Sequence, residues 1–233
     1  MATHHNTPVL YNGYGAGYKD LRQMPISINP DYFVLEDDFI YELDTGWTVV
    51  KDSGASVAIA ADTVGGELLI TSAGTTDNDG GSVQGNEIFA VAADKDMFFQ
   101  TRIKNNDVDQ SDLCVGFTVN FATNPEAMLA AADRIVFQVD DGNASILCKT
   151  EKNGTETSTD SGIDMADDTY VKLGIAVEST GNVKFFINDG LVATHTTNIP
   201  DDEHLTIAAM SISGSASGTR ATTIDYLMGA RTR

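Results

Sequence analysis

Apolar and polar positions alternate with a period of two along the last quarter of the chain. Between Thr169 and Met228, every second residue of several short runs is apolar, and turn residues such as Asn188-Asp189-Gly190 separate the runs. A period of two gives a β-strand one apolar and one wetter face, and Asn and Gly accept the positive φ of a tight hairpin. The pattern therefore predicts five short strands joined as an antiparallel meander.

Comparable runs precede this region and predict an all-β chain. The alternation from Leu113 to Phe121 predicts the most deeply buried strand. A short helix is expected after Asn124, because Asn caps helices well and Pro125 suits the first helical position. The polar segment 152–168 is predicted to be a long loop. The other predicted strands before residue 169 cover 34–43, 47–50, 56–60, 67–71, 82–91, 97–104, 134–139 and 144–150.

The first 35 residues differ from the rest of the chain. They hold three of the five prolines and four tyrosines spread among glycines. Proline and glycine interrupt strand pairing, whereas tyrosine supplies a large amphipathic contact area. We interpret residues 1–35 as an extended arm that orders against another subunit, with a disordered leader as the alternative. The residues expected to contact a partner are Tyr11, Tyr14, Tyr18, Lys19, Arg22 and Tyr32.

Three strings near the end of the sequence carry a resemblance to a known family. Tyr-Val-Lys-Leu-Gly-Ile-Ala-Val-Glu begins at Tyr170, Gly-Asn-Val-Lys-Phe-Phe-Ile-Asn-Asp-Gly-Leu-Val-Ala-Thr follows at Gly181, and Thr-Ile-Asp-Tyr-Leu comes at Thr223. Their order resembles the concanavalin A-like lectin/glucanase superfamily, which includes laminin G-like modules. The resemblance covers residues 36–228 in strand rhythm and implies a two-sheet antiparallel jelly-roll sandwich over 36–233. Such folds carry unrelated functions, so it leaves function open.

Charge excludes several classes of partner. The formal net charge is -20, from 34 acidic and 14 basic residues, so phosphate-mediated binding of nucleic acid and of anionic membranes is not expected. No secretion signal or bilayer-spanning apolar run is visible, which favours synthesis in a cytosol. Cys114 and Cys148 are then expected to be free thiols, with a disulfide between them as the alternative.

Motifs for catalysis and metal binding are weak. Retaining glucanases of the similar superfamily carry Glu-x-Asp-x-x-Glu on one strand, and the nearest string here, Glu42 to Trp47, ends in Trp. None of the four histidines lies in a nucleophile motif, so no enzyme is expected. Acidic turns at 77–79, 140–143 and 201–203 lack the spacing of an EF-hand. No cofactor is expected, and calcium remains the alternative.

Two classes of function remain. The small-residue composition and the tyrosine-rich arm resemble tailed-phage head accessory proteins. This resemblance implies a capsid decoration or cement protein of the virion, assembled in the host cytoplasm, bound to the major capsid protein or another virion protein, and trimeric. The alternative is a lectin-like carbohydrate-binding module. Its expected glycan-binding residues are Trp47, Asp140, Asn143 and Tyr170.

Overall fold

Two antiparallel sheets face each other across one apolar core. The computed structural model of the chain describes residues 32–40, 43, 46–61, 63–121, 124–214 and 218–233. The strands in these ranges are β1 (Tyr32–Asp37), β2 (Thr48–Lys51), β3 (Ser56–Ile59), β4 (Leu68–Thr71), β5 (Gly80–Gln84), β6 (Met97–Asn105), β7 (Ser111–Thr118), β8 (Arg134–Val139), β9 (Ser145–Lys152), β10 (Thr155–Asp164), β11 (Val171–Val177), β12 (Val183–Ile187), β13 (Gly190–His195), β14 (Thr206–Ser213) and β15 (Ala221–Thr232). The all-β sandwich expected from the sequence is confirmed.

The chain crosses several times between the two sheets. Sheet I has the order β13-β12-β11-β6-β15-β4-β3, and sheet II has the order β10-β9-β8-β7-β14-β5-β2. In sheet I, β1 pairs with residues 227–232 of β15, while β4 pairs with residues 221–224 of the same strand. The predicted five-stranded meander is wrong. Of its five strands, only β11, β12 and β13 lie next to one another in chain order. β14 crosses to sheet II, and β15 returns to the middle of sheet I.

Phenylalanine rings join the sheets through the core. Phe89 lies 5.1 Å from Phe33 of β1 and 5.1 Å from Phe117 of β7, and Phe117 lies 5.8 Å from Phe99 of β6, measured between ring centroids. These tilted and edge-on arrangements are the ones that aromatic pairs prefer. Phe117 faces inward with its alternating neighbours Leu113 and Val115, as the period of two predicted.

Part of the outer face of sheet II is also apolar, because a short segment covers it. Cys114, Val136 and Met210 point away from the main core and pack against Met128, which is fully buried. Met128 ends a four-residue 3-10 turn, Pro125–Met128, in the place where the sequence predicted a longer helix. The Asn124 cap is confirmed, since its side chain accepts a hydrogen bond from the Glu126 N–H at 3.0 Å. In the described residues, no helix has the length and apolar character to cross a bilayer.

The polar segment predicted to be a loop contains the edge strand β10. Its side chains alternate between exposed and half-buried positions, and it pairs with β9 from Thr155 to Asp164. Thr157 and Thr159 take the inward positions that apolar residues hold in the other strands, so hydropathy gave no strand signal. Cys148 on β9 and Cys114 on β7 are separate buried thiols. Burial raises the pKa of both thiols to about 12.

Arg134 anchors the covering segment to three strands of sheet II. Its side chain is 4% exposed, and its Nε–H donates to Glu151 at 2.8 Å while one Nη donates to Glu156 at 3.1 Å. The other Nη donates to the Met128 carbonyl and to Gln138, each at 3.1 Å. The hydrogen bonds to Glu151, Glu156, Gln138 and Met128 thus join this guanidinium to β8, β9, β10 and the Pro125–Met128 turn.

Replacing Arg134 is expected to destabilise the fold strongly. In Arg134→Met, the carboxylate of Glu151, which is only 12% exposed, loses its cation. Loss of one member of a buried ion pair costs about 3–5 kcal/mol of unfolding free energy, measurable by urea denaturation. Arg102→Met is the matched control, because Arg102 is 45% exposed in its pair with Asp225 and should cost about 1 kcal/mol or less. Equal losses in the two variants would contradict this role for Arg134.

Candidate functional site

A charged and aromatic surface surrounds the ring of Tyr170 on the outer side of sheet I. The guanidinium carbon of Arg102 lies 3.9 Å from the ring centroid, and the Lys104 ammonium lies 4.7 Å from it. The Tyr170 hydroxyl donates a hydrogen bond to the Glu67 carboxylate. Together with Asp225, these residues are called the Tyr170 surface below. Two cation–π contacts and one hydrogen bond hold the ring in place.

Strand register explains why these residues meet. Arg102 and Lys104 are two positions apart on β6, so both point to the outer face. Val171 pairs with Ile103, which brings the preceding residue, Tyr170, beside Lys104. The register of β15 shifts between Ile224 and Tyr226, and Asp225 is the extra residue of this bulge. A bulge re-aims a side chain, and Asp225 forms an ion pair with Arg102 at 2.8 Å.

The acid groups of this surface influence each other. Burial raises the pKa of Tyr170, and the hydrogen bond to Glu67 raises it further, so the phenol keeps its proton and remains a donor. Partial desolvation raises the pKa of Asp38, with smaller contributions from the carboxylates of Asp225 and Asp37. The surface therefore carries several hydrogen-bond acceptors close to a neutral phenol.

Trp47 is half-buried and packs against the apolar core between the sheets. Its indole N–H donates to Asp37 at 2.7 Å, and its ring is 6.2 Å from the buried Phe39. Gly66, which precedes Glu67, packs against the Asp38 backbone so closely that an added Cβ would lie 2.4 Å from the Asp38 carbonyl oxygen. Of the expected glycan-binding residues, Tyr170 lies on the outer side of sheet I, whereas Trp47 packs against the core beside Asp37.

The other two expected glycan-binding residues lie elsewhere. Asp140 and Asn143 form the turn between β8 and β9 of sheet II, where the Asn143 N–H donates to the Asp140 carbonyl at 3.1 Å. The Asp140 carboxylate accepts a hydrogen bond from Gln138, and the Asn143 side chain accepts one from the Ser145 N–H at 3.1 Å. These groups stabilise the hairpin and are not part of the Tyr170 surface.

The Asp140–Asn143 turn belongs to an acidic end of the sandwich. Asp112 is 7% exposed there and accepts a hydrogen bond from the Asp141 N–H at 2.9 Å. Burial raises the pKa of Asp112 to about 6, and the nearby carboxylates of Asp141, Asp140 and Asp77 contribute. Within the described ranges, no group of three or more His, Cys, Asp or Glu side chains is arranged to hold a metal ion.

Most of the residues proposed for the arm lie outside the described residues, namely Tyr11, Tyr14, Tyr18, Lys19 and Arg22. Tyr32 is described. It is half-buried at the start of β1, pairs with Thr232, and its carbonyl accepts a hydrogen bond from Arg233 at 3.2 Å. Residues 32–35, which the sequence placed in the arm, form the first part of a sheet I strand.

A pair of carboxylates converges on sheet II. Glu151 on β9 and Glu156 on β10 are direct cross-strand partners, and both accept hydrogen bonds from Arg134. Lys149 lies 3.3 Å from the Glu156 carboxylate. Side chains directly opposite each other in an antiparallel pair have Cβ atoms about 5 Å apart. The sequence pattern did not reveal this pair, because a motif of acids spaced along one strand does not include residues that lie on two strands.

Solved structures with the same architecture define the class of fold. An endo-1,3-beta-glucanase from Streptomyces sioyaensis has a TM-score of 0.64 and 11% identity, covering 89% of this chain and 99% of that one. The potassium-bound carbohydrate recognition domain of Emp46p has a TM-score of 0.57 and 10% identity, covering 83% and 94%. The fold is therefore the concanavalin A-like jelly roll of glucanases and lectins.

The family can be stated more narrowly. The chain belongs to the family described as SO2946-like, C-terminal domain, whose model matches residues 62–227. The protein of unknown function SO2946 from Shewanella oneidensis MR-1 has a TM-score of 0.61 and 15% identity, covering 94% of each chain. No curated protein matches the sequence.

The expectation that the protein is not an enzyme is contradicted. The solved structures that share its fold include the Streptomyces glucanase and a beta-glucanase of Bacillus licheniformis, so the scaffold is one on which glycoside hydrolases are built. The expectation depended on the absence of nucleophile motifs and on the string from Glu42 to Trp47, of which Glu42, Asp44 and Thr45 lie outside the described residues. A motif on one strand does not detect acids from two strands, such as Glu151 and Glu156.

Asp112 predicts a pH-dependent loss of stability. The folded state binds its proton more tightly than the unfolded chain, whose pKa is near 3.8, so its contribution weakens as pH rises from about 4 to above 6. Asp112→Asn keeps an oxygen for the Asp141 N–H and cannot ionise. Its unfolding free energy should exceed that of the wild type by about 3 kcal/mol at pH 7.5 and by no more than about 0.5 kcal/mol near pH 4.

Urea denaturation at the two pH values measures this difference. Asp109→Asn is the control, because Asp109 is an exposed carboxylate at the same end of the sandwich. It should change stability by less than about 0.5 kcal/mol at either pH. A gain in Asp112→Asn that is equal at pH 4 and pH 7.5 would show that burial of the charge is not the cause.

Proposed function

We propose that this protein binds a carbohydrate through the Tyr170 surface. The observation that carries the proposal is the Tyr170 ring, which is held beside Arg102, Lys104 and Glu67 on the outer side of sheet I. The fold supports it, because carbohydrate recognition domains and glucanases share this sandwich.

The chemistry of the surface suits a neutral oligosaccharide. Aromatic side chains offer apolar area to the C–H faces of a sugar and a polar tip to its hydroxyls. Carboxylates accept hydrogen bonds from sugar hydroxyls, and Arg102 and Lys104 can donate to them. The acids Glu67, Asp225 and Asp38 outnumber these two cations, and the chain carries a net charge of -20. An acidic sugar would therefore be repelled more strongly than a neutral one.

Tyr170→Ala is expected to weaken glycan binding at least about tenfold, which corresponds to about 1.4 kcal/mol. Tyr170→Phe keeps the ring and loses only the hydroxyl, so its loss should be smaller. Asn143→Ala is the matched control outside the surface and should bind like the wild type. Retention on immobilised neutral β-glucans and titration calorimetry measure binding, and reducing ends are assayed in the same samples to detect hydrolysis. Equal retention of the wild type and Tyr170→Ala would contradict the proposed site.

A second candidate is a structural role in a virion, as a decoration protein bound to the major capsid protein or another virion protein. The observation that favours it is the direct continuation of the N-terminal segment into β1. That strand is paired along its full length, from Tyr32 to Asp37, with β15 in sheet I. Force on the segment would thus be transmitted to the sheet. Trimeric assembly and location in the virion belong to this proposal, which is compatible with an exposed glycan-binding surface.

Deleting residues 1–31 tests the virion role, because the deletion leaves β1 intact. We expect the truncated protein to keep the thermal unfolding midpoint of the full chain within about 4 °C. It should no longer co-sediment with tailed-phage heads that lack their decoration protein, whereas the full chain should. The triple variant Tyr11→Ala, Tyr14→Ala, Tyr18→Ala is the finer test of the proposed contacts. Undiminished co-sedimentation of the truncated protein would rule out attachment through this segment.

A further inference from the structure

His195 lies between the sheets with hydrogen bonds to both ring nitrogens. It ends β13, at the edge of sheet I, and is 3% exposed. Its Nδ1 is 3.0 Å from the Thr150 hydroxyl of β9, and its Nε2 is 3.0 Å from the Thr159 hydroxyl of β10. The ring centroid is 5.1 Å from that of Phe185. One imidazole thus connects the edge strands of the two sheets.

The direction of these hydrogen bonds follows from the Thr150 hydroxyl. That hydroxyl donates its single proton to the Thr197 carbonyl at 3.1 Å, so it can only accept from His195. Nδ1 therefore carries the ring proton and donates it to Thr150. The other nitrogen, Nε2, then accepts from the Thr159 hydroxyl. The neutral imidazole completes a chain of three hydrogen bonds from β10 through β13 and β9 to residue 197.

Among the described residues, no ion pair involves His195, and the charged groups nearby point away from it. Cys148, inward on β9, is a neutral buried thiol whose pKa burial raises to about 12. The charged groups of the packed elements lie on outer faces or at the rim. Lys149 pairs with Glu156, Lys152 with Asp201 and Asp202, and Lys184 with Glu178, while the Asp160 carboxylate accepts a hydrogen bond from the Ser145 hydroxyl.

We propose that His195 is an acid-sensitive latch: protonation of Nε2 releases the corner of the sandwich formed by β9, β10, β13 and residues 196–204. A proton on Nε2 removes the acceptor for the Thr159 hydroxyl and places a cation between the sheets without a carboxylate to pair with it. Burial lowers the pKa of His195 below its ordinary value of 6.5. The latch is thus closed above about pH 6.5 and loses stability as pH falls below that value.

The opening is local because the contacts that hold this corner closed lie at the surface, apart from the contacts of the main core. Residues 196–204 are attached to the β9–β10 hairpin by hydrogen bonds between Thr157 and Thr197 at 2.9 Å, Asn198 and Thr157 at 2.9 Å, and Asn153 and Asp202 at 3.1 Å. These contacts lie at the surface, where water can replace them. The core strands β7 and β14 make no hydrogen bond to His195 in the described residues, so they should stay closed.

Hydrogen–deuterium exchange of the full chain at pH 7.0 and pH 5.0, corrected for intrinsic exchange rates, tests the latch. We expect exchange in β10 and β13 to rise at least about tenfold at pH 5.0, while exchange in β14 changes less than about twofold. His195→Gln cannot gain a charge and should show no such rise. His204→Gln is the matched control, because His204 is exposed, and it should respond like the wild type.

An acid response in His195→Gln equal to that of the wild type would overturn the proposal. If this variant does not fold, the ring of His195 is followed by NMR, and its signal is assigned with the triple variant His4→Gln, His5→Gln, His204→Gln, in which His195 is the only histidine. We expect the ring to stay neutral below pH 6 and to protonate together with the loss of protection in β10. Protonation near pH 6.5 with protection intact would also overturn the proposal.

Discussion

Contact between inward-facing aromatic rings is the constraint on which the rest of this molecule depends. Phe33, Phe89, Phe117 and Phe99 form one continuous row between the sheets. Because side chains alternate along each strand, fixing the rings inside also fixes which residues face outward. The outer face of sheet II carries an apolar patch under the Pro125–Met128 turn, and that of sheet I carries a small apolar cluster around Phe98 and Phe186 as well as the Tyr170 surface. A slip of one residue in β6 would move Arg102 and Lys104 into the core.

The alternation of apolar and polar residues was sufficient to predict strands with one apolar face, such as β7, β11 and β12. It failed for β10, where Thr157 and Thr159 face inward and satisfy their hydroxyls with His195, Thr197 and Asn198. Hydropathy cannot distinguish such a strand from a polar loop. The pattern also could not assign β14 and β15 to different sheets, since that choice depends on partners far away in sequence. The Asn124 cap was predicted correctly, but the helix ended after one turn, where Arg134 binds the Met128 carbonyl.

The residues of the Tyr170 surface were predictable only in part, because this surface also depends on strand partners that are far apart in sequence. Tyr170 and Trp47 were proposed as conspicuous aromatic residues; Tyr170 lies on the outer side of sheet I, whereas Trp47 packs against the core. Arg102 and Asp225 gave no local signal, because their contact needs the pairing of β6 with β15 and the bulge at Asp225. Asp140 and Asn143 were proposed from composition, and they serve the turn in which they lie. Residues that contact each other across strands carry chemistry that spacing along one strand does not show.

The pairing of β1 with β15 has a consequence for biosynthesis. Tyr32 lies opposite Thr232, so β1 finds its neighbour only after all the strands between them have been made and β15 has left the exit tunnel. Until then β4 and β6 also lack the neighbour that separates them in sheet I. Such long-range closure makes folding slow and leaves strand edges open to other chains. During synthesis, sheet I of the nascent protein therefore stays divided into two parts until β15 pairs with both.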